Sequence, residues 1–224
     1  MTALKPRALI DRVVDATARR PSGWAARKAY GGAEGAPKGH DDVFSRVLEA
    51  AGPLDSERVL EVGCGGGALL SRVLAQGPKR AAGLDHSPDM IALSMERNRE
   101  AVAQDRLTLK LGDAAAIPWP ERTFSVALSA NMLFFVEAPE SVLAEHLRVL
   151  EPGGRLVMAT VPGPLPEPSL RNWWVAVWGS RMYVHTDEAM RELLSRAGFD
   201  EITVESTRPE GAEPLQLIRA RRPL

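Results

Sequence analysis

From Arg58 onward, short runs of strand-forming residues alternate with segments of helical period, and that alternation limits the folds open to the chain. RVLEVG (58–63), RAAGLD (80–85), RLTLKLG (106–112), TFSVALSA (123–130) and RLVMATV (155–161) read as strands. Helices are expected over 68–76, from the Ser87–Pro88 pair to about Val102, and over 139–150. Ser87 offers an N-cap oxygen and Pro88 suits the first helical position. In the third helix Val142, Leu143, Leu147 and Leu150 share one face. Pro152-Gly153-Gly154 is expected to turn the chain before the fifth strand. Thr186 would cap a helix running to Ala197 and ended by Gly198, and ITVES (202–206) and LQLIRA (215–220) would be the last two strands. Strand–helix alternation covers both faces of a parallel sheet with helices, and a closely spaced final pair forms an antiparallel edge hairpin. The expected class is α/β, a seven-stranded, mostly parallel sheet.

Two segments depart from this rhythm. Residues 1–42 are expected to form an N-terminal helix and flap. Leu4, Ala8, Val13, Val14 and Ala18 make a loose helical stripe over 4–19, and the softer stretch from Pro21 to His40 carries Trp24 and Tyr30. That stretch reads either as a surface loop or as a flap over a ligand. Residues 43–224 then form the main domain, with an insertion at 162–186 that begins PGPLPEP and continues SLRNWWVAVWGSRMYVHT. Trp173, Trp174, Trp178 and Tyr183 lie there, at the carboxyl edge where ligands bind in open α/β sheets. They fit a lid gripping an apolar substrate, or a helix packed on the sheet or on a second subunit.

Composition removes several function classes. With 224 residues the chain makes about one domain and needs no staples to hold a core. The single cysteine, Cys64, leaves no internal disulfide and no Cys-clustered zinc site, and His40, His86, His146 and His185 lack HxxH or HExxH spacing. No metal is therefore expected. Lys+Arg of 28 against Asp+Glu of 29 gives a net charge of -1, with no basic field for nucleic acid or an anionic membrane. Asp11, Arg12 and Asp15 interrupt any signal-peptide core, and the least polar run, 124–136, falls short of the ~20 residues that span a bilayer. A cytoplasmic protein is expected; the oligomeric state stays open, a homodimer included.

The local signal with most chemistry is Val59-Leu60-Glu61-Val62-Gly63-Cys64-Gly65-Gly66-Gly67-Ala68. Glycines after a strand let backbone approach a ligand, and the next helix turns its free N–H groups toward it. Asp85, at the end of the second strand, suits the two hydroxyls of a ribose. The spacing also fits a dinucleotide fingerprint. Glu61 argues against that reading, since a carboxylate there repels a pyrophosphate and suits a cationic ligand. Asp113, after the third strand, suits the exocyclic amine of adenine, and neither Tyr30 nor Tyr183 has a lysine four residues on, as dehydrogenase machinery would.

VLEVGCGGG, GLDHSPDM, GDAAAIPWPERTFSVALSANMLFFV, LRVLEPGGRLVM and LLSRAGFDEI together resemble the successive motifs of class I S-adenosylmethionine-dependent methyltransferases. The resemblance covers about residues 43–206 and is greatest to the small-molecule subgroup typified by ubiquinone- and menaquinone-biosynthesis methyltransferases. It implies a doubly wound Rossmann-like fold, S-adenosyl-L-methionine as cofactor and S-adenosyl-L-homocysteine as product. It places Glu61, Gly63, Cys64 and Gly65 around the methionine part, Asp85 on the ribose, and His86 beside ribose or adenine. Asp113 and Ala114 would recognise adenine, with Ile117 and Met90 nearby, and Asn131 would line the cofactor near the transferable methyl. Where this subgroup often carries a histidine pair after the fourth strand, this chain has Phe134-Phe135. These are core residues, or Phe135 lines an apolar substrate pocket.

A sulfonium methyl is already activated, so such an enzyme mainly aligns nucleophile, methyl and sulfur, and excludes water. A base helps if the nucleophile is a hydroxyl or ammonium. His185 and His40 border the two irregular segments and are the candidate bases; His146 reads as structural. Tyr30, Phe135, Trp174, Trp178 and Tyr183 are the candidate substrate residues. The function implied is methyl transfer to an O, N, C or S atom of a small molecule. The alternatives are a cyclase, isomerase or non-catalytic binder of the same fold, and a nicotinamide dehydrogenase.

Overall fold

A computed structural model describes residues 22–23, 28, 30–31, 40–165, 167, 179, 182–208 and 214–224. The expected helix at 4–19, Trp24, and Trp173, Trp174 and Trp178 lie outside the described residues.

The strand runs of the sequence become β1 (Arg58–Val62), β2 (Arg80–Asp85), β3 (Leu107–Leu111), β4 (Phe124–Ala130), β5 (Leu150–Thr160), β6 (Asp200–Thr207) and β7 (Leu215–Arg221). They form one sheet in the order β3-β2-β1-β4-β5-β7-β6. β1 to β5 pair in parallel, while β7 pairs antiparallel with both β5 and β6. The expected hairpin is present, and its second strand sits inside the sheet, leaving β6 as the edge.

Helices α1 (His40–Ala51), α2 (Ala68–Ala75), α3 (Pro88–Arg97), α4 (Arg99–Ala103), α5 (Pro139–Val149) and α6 (Asp187–Ala197) cover the sheet. The period of two along each strand sorts side chains between the faces. Val126, Leu128, Val157 and Ala159 pack with Val43, Phe44 and Val47 of α1 and Leu69, Leu70 and Val73 of α2. Their neighbours Ala127, Leu156 and Met158 pack with Val142 and Leu143 of α5 and Met190, Leu193 and Leu194 of α6. Both ends of α6 follow the sequence: Thr186 Oγ1 accepts from Ala189 N, and Gly198 closes the helix at φ 97°.

Two expectations shift. The turn at 152–154 is an outward bulge within β5. Phe124 pairs with Leu150, and the next register pair is Val126 with Arg155. The bulge persists because Gly153 N donates to Arg222 O (2.9 Å) and Arg222 N donates to Gly154 O (2.9 Å). The helix expected to run from 88 to 102 breaks at Asn98, whose side-chain amide donates to Ser94 O and to Gly67 O, both at 3.1 Å. That amide serves the glycine loop and the helix restarts behind it.

The Arg222 guanidinium donates to Leu147 O (3.0 Å), Arg148 O (3.1 Å) and Leu150 O (2.6 Å), carbonyls that the end of α5 leaves free. Arg222→Ala is expected to lower the unfolding free energy by about 1–3 kcal/mol in urea titrations, with the far-ultraviolet spectrum unchanged.

Candidate functional site

The carboxyl ends of β1, β2 and β4 and the turns that follow them build the site. Gly63 N and Cys64 N both donate to Leu84 O (2.8 and 3.0 Å), which sews the start of the glycine loop to the end of β2. Gly67 then adopts φ 78° directly before α2, where an added Cβ would lie 2.3 Å from Ser94 Oγ and 2.6 Å from Asn98 Nδ2. Only glycine fits there. At Gly65, φ 50°, an added Cβ would meet nothing within 4 Å, so the loop's middle faces open space.

Two carboxyl groups lie at the loop, Asp85 bonded to Gly65 and Glu61 within electrostatic reach of Asp85. Asp85 is buried, yet both oxygens are engaged: Oδ2 accepts from Gly65 N and Oδ1 from Ser87 N, each at 2.9 Å. Burial pushes its pKa up, and the backbone donors pull it back. Glu61 is 2% exposed, and its Oε2 has no hydrogen-bond partner among the described residues. Burial first, and then the charge of Asp85, hold its carboxyl well above the ordinary range. The Cys64 thiol is likewise buried and pushed up, first by burial and then by Glu61 and Asp85. His86 is exposed, its Nδ1 3.9 Å from Asp85 Oδ1.

Helix α3 braces this region. Ser87 Oγ accepts from Met90 N, as its capping position predicts. Met90 and Leu93 are buried against Tyr30. Burial, and then the charge of Asp85, raise the Tyr30 hydroxyl to about 12. Arg97 donates from Nε to Gly66 O (2.9 Å) and from Nη2 to Tyr30 O (3.0 Å), and Asp89 Oδ2 accepts from Gly23 N (2.8 Å). Arg97, Ser94 and Asn98 are site residues that sequence reasoning missed. Their signal was the spacing of Met90, Ser94, Arg97 and Asn98, which puts three polar side chains on the buried face of an amphipathic helix.

The turn after β3 is exposed at Asp113, whose Oδ1 accepts from Ala115 N (2.9 Å); Ala114 is half-buried. Helix α5 holds this turn. Glu145 Oε2 accepts from Ile117 N (2.7 Å), while Arg148 donates to Ile117 O (2.8 Å) and Trp119 O (2.9 Å). The Arg148 guanidinium keeps the Glu145 carboxyl below its usual range.

Asn131 leaves β4 with φ 57° and donates its N–H to Ala159 O (2.9 Å). Phe134 is buried and Phe135 half-buried, their ring centroids 4.4 Å apart. Tyr183 N donates to Phe134 O (2.8 Å), which brings the segment before α6 to the exit of β4. There His185 O accepts from Gly163 N (2.8 Å) and Gln216 Nε2 (3.2 Å), while its Nε2 is buried with no partner among the described residues. Burial lowers its pKa, against a smaller opposite effect of Glu140. His40 sits at the start of α1, its ring 5.9 Å from Phe44. His146 is fully buried with Nδ1 2.7 Å from Val142 O, a structural group.

The sheet order, the glycine loop and the acid ending β2 together frame the candidate ligand site. A family model described as "Methyltransferase domain" matches residues 60–158, from β1 to β5. That match takes in the glycine loop, the acid ending β2 and the exit of β4. Erythromycin 3''-O-methyltransferase of Saccharopolyspora erythraea is 27% identical over 194 residues, covering 82% of this chain and 63% of the relative. Nocamycin O-methyltransferase of Saccharothrix syringae is 35% identical over 138 residues, covering 58% of this chain and 46% of the relative. The chain thus spans less than two thirds of either. Among solved structures, a phosphoethanolamine N-methyltransferase 2 of Haemonchus contortus aligns with a TM-score of 0.78 at 18% identity, over 96% of this chain and 61% of that one. The Rossmann-like methyltransferase fold is therefore present.

Two outcomes test the domain's site. Gly67→Ala is expected to cost about 1–3 kcal/mol of stability by denaturant titration, through strain at positive φ and the close approach of Ser94 and Asn98. Glu61→Gln is expected to stabilise the ligand-free protein at neutral pH. A carboxyl whose folded pKa lies above its unfolded value of 4.5 contributes stability below that value and loses it as pH rises toward the folded pKa. Melting temperatures of the two proteins should therefore converge near pH 4 and separate at about pH 7, with the variant higher.

Proposed function

We propose that this chain transfers the methyl group of S-adenosyl-L-methionine to an oxygen atom of a small-molecule acceptor, leaving S-adenosyl-L-homocysteine. The observation that carries the reading is the pair of acids at the glycine loop: Asp85 ordered by two backbone donors, Glu61 buried with Oε2 unpartnered among the described residues. A nucleoside bearing a positive charge fits this set, since ribose hydroxyls suit Asp85 and a cation suits Glu61. A pyrophosphate does not fit it. Bound S-adenosylmethionine supplies a methyl group already activated by its sulfonium charge.

The chain's own residues bind and orient. Glu61, Gly63, Cys64 and Gly65 surround the amino-acid part, Asp85 and His86 the ribose, and Asp113, Ala114 and Met90 the adenine. Asn131 lines the cleft toward the acceptor. The clamp from Glu145 and Arg148 fixes the adenine turn before any ligand arrives, which reduces the ordering cost of binding. Oxygen as the acceptor atom is supported by the names of the erythromycin and nocamycin relatives. Phe135, Tyr183 and Tyr30 are the candidate acceptor-side residues among the described ones; Trp174 and Trp178, assigned to that side from the sequence, lie outside them. His185 takes the acceptor's proton. Its backbone is held from two sides, and its burial favours the neutral ring that accepts a proton. His40 is the second candidate for that role. The near-balanced charge, and the lack among the described residues of a helix long and apolar enough to cross a membrane, support a cytoplasmic enzyme with no nucleic-acid or membrane partner.

Calorimetry with S-adenosylhomocysteine, NAD and NADP tests the cofactor. The homocysteine product is expected to bind and the dinucleotides not, and Asp85→Ala to weaken binding at least about tenfold. Binding of NAD without S-adenosylhomocysteine would overturn the assignment. Radiolabelled S-adenosylmethionine, offered with a panel of hydroxylated macrolides, tests the chemistry; label recovered on carbon or nitrogen alone refutes oxygen transfer. With any accepted macrolide, His185→Gln should lower kcat roughly a hundredfold while the affinity for S-adenosylhomocysteine stays unchanged.

A further inference from the structure

Glu61 stands opposite Gly83 in the β1–β2 register, two residues short of the level of Asp85. It is 2% exposed, its Oε2 has no hydrogen-bond partner, and it makes no ion pair among the described residues. Asp85 faces it from β2 and the Cys64 thiol from the glycine loop. Beyond Asp85 lie His86 and the Tyr30 hydroxyl of the N-terminal segment. The nearest guanidinium shown at the loop, that of Arg97 on α3, is bonded to Gly66 O and Tyr30 O. Among the described residues, the groups whose charge acts on Glu61 are thus acidic or weakly acidic.

The two carboxyls are not equivalent. Asp85 receives a backbone N–H on each oxygen, which favours its charged form. Glu61 has the Leu70 backbone as a donor but none on Oε2, and a half-satisfied carboxylate removed from water beside a second carboxylate is costly. The unequal donors favour the charge of the pair on Asp85 and the proton on Glu61. A ligand that is neutral or anionic where it meets Glu61 leaves that distribution alone. A ligand that brings a positive charge reverses it.

Resting on the cofactor reading above, we propose that Glu61 selects a positively charged cofactor by giving up its proton: a carboxylic acid in the free protein, it is a carboxylate paired with the cofactor's cationic part in the complex. The O–H bond of Glu61 breaks, its electron pair stays on the carboxylate oxygen, and the proton passes to solvent. No bond of the cofactor changes. Binding is therefore linked to proton release, and affinity rises with pH, by up to about tenfold per pH unit where the free protein is protonated and the complex is not. A neutral nucleoside of similar shape gains nothing from the same change.

The test is isothermal calorimetry at pH 7 in phosphate and in Tris, whose ionisation enthalpies differ. S-adenosylmethionine is expected to release up to about one proton per protein. 5'-Methylthioadenosine, which keeps the nucleoside and lacks the charges, is expected to release none. Glu61→Gln should bind S-adenosylmethionine more weakly, with no release and with a Kd independent of pH. Equal heats in both buffers for S-adenosylmethionine on the wild-type protein overturn the proposal, as does release from Glu61→Gln equal to wild type. If that variant does not fold, carbon-13 NMR of labelled glutamate in the wild-type protein decides. A Glu61 carboxyl protonated when free and ionised when loaded supports the proposal, and one ionised in both states overturns it. Failure of S-adenosylmethionine to bind, with a dinucleotide binding instead, refutes the cofactor reading itself and the proposal with it.

Discussion

Two backbone N–H groups close on the two oxygens of Asp85, and the site is arranged around that closure. Gly65 N comes from the glycine loop and Ser87 N from the turn into α3, so one carboxylate ties the β1 exit to the β2 exit. Each donor would otherwise need another acceptor at the sheet's edge. The same residue's carbonyl accepts from Gly112 N (3.0 Å), which adds the β3 exit. Three consecutive crossovers thus converge on one aspartate, and the ligand-facing turns keep their relative positions through it.

Helix α3 transmits that order outward. Its cap at Ser87 belongs to the Asp85 turn, and its buried face then supplies Ser94 and Asn98 against Gly67 and Arg97 against Gly66. Ser71 Oγ of α2 donates to Asn98 Oδ1 (2.7 Å), so the helix after the glycine loop is tied to the same group. Arg97 continues the chain of contacts to Tyr30 O. A segment remote in sequence is thereby joined to the loop that would hold a cofactor.

Much of this was legible in the residues because the deciding forces are local there. The strands at 80–85 and 124–130 are short apolar runs between glycine or charge, and Thr186, Gly198 and Ser87 cap the helices through bonds within four residues. Glu61, Gly65 and Asp85 were legible from spacing alone, since strand, turn and strand place them at one edge. What was not legible depends on distant partners. The bulge at 152–154 looks like a free turn until Arg222 supplies donor and acceptor from the end of β7. The break at Asn98 follows from a carbonyl at Gly67, and no helix propensity announces it. Arg97 reads as an ordinary last-turn cation, and its engagement with two backbone oxygens needs the loop and the N-terminal segment in place. His185 was legible only as a border residue; Gln216 and Gly163, which fix it, come from two other parts of the chain.

The unequal treatment of the two acids shows where folding and function part. A chain optimised for stability alone would give Glu61 Oε2 a donor or replace the residue with an apolar one, since a buried carboxyl oxygen without a partner weakens the fold. Asp85 shows that the same backbone is able to furnish donors, and furnishes them two residues beyond the level of Glu61. The unmet group therefore lies where an open loop face meets the sheet, and not in the two apolar layers, where Leu128 and Leu156 are fully enclosed. The deficit at Glu61 Oε2 is one that a group entering there with complementary charge would relieve. The residual cost in the free protein and the affinity for a cation are then two aspects of one interaction, because removing the carboxylate removes both.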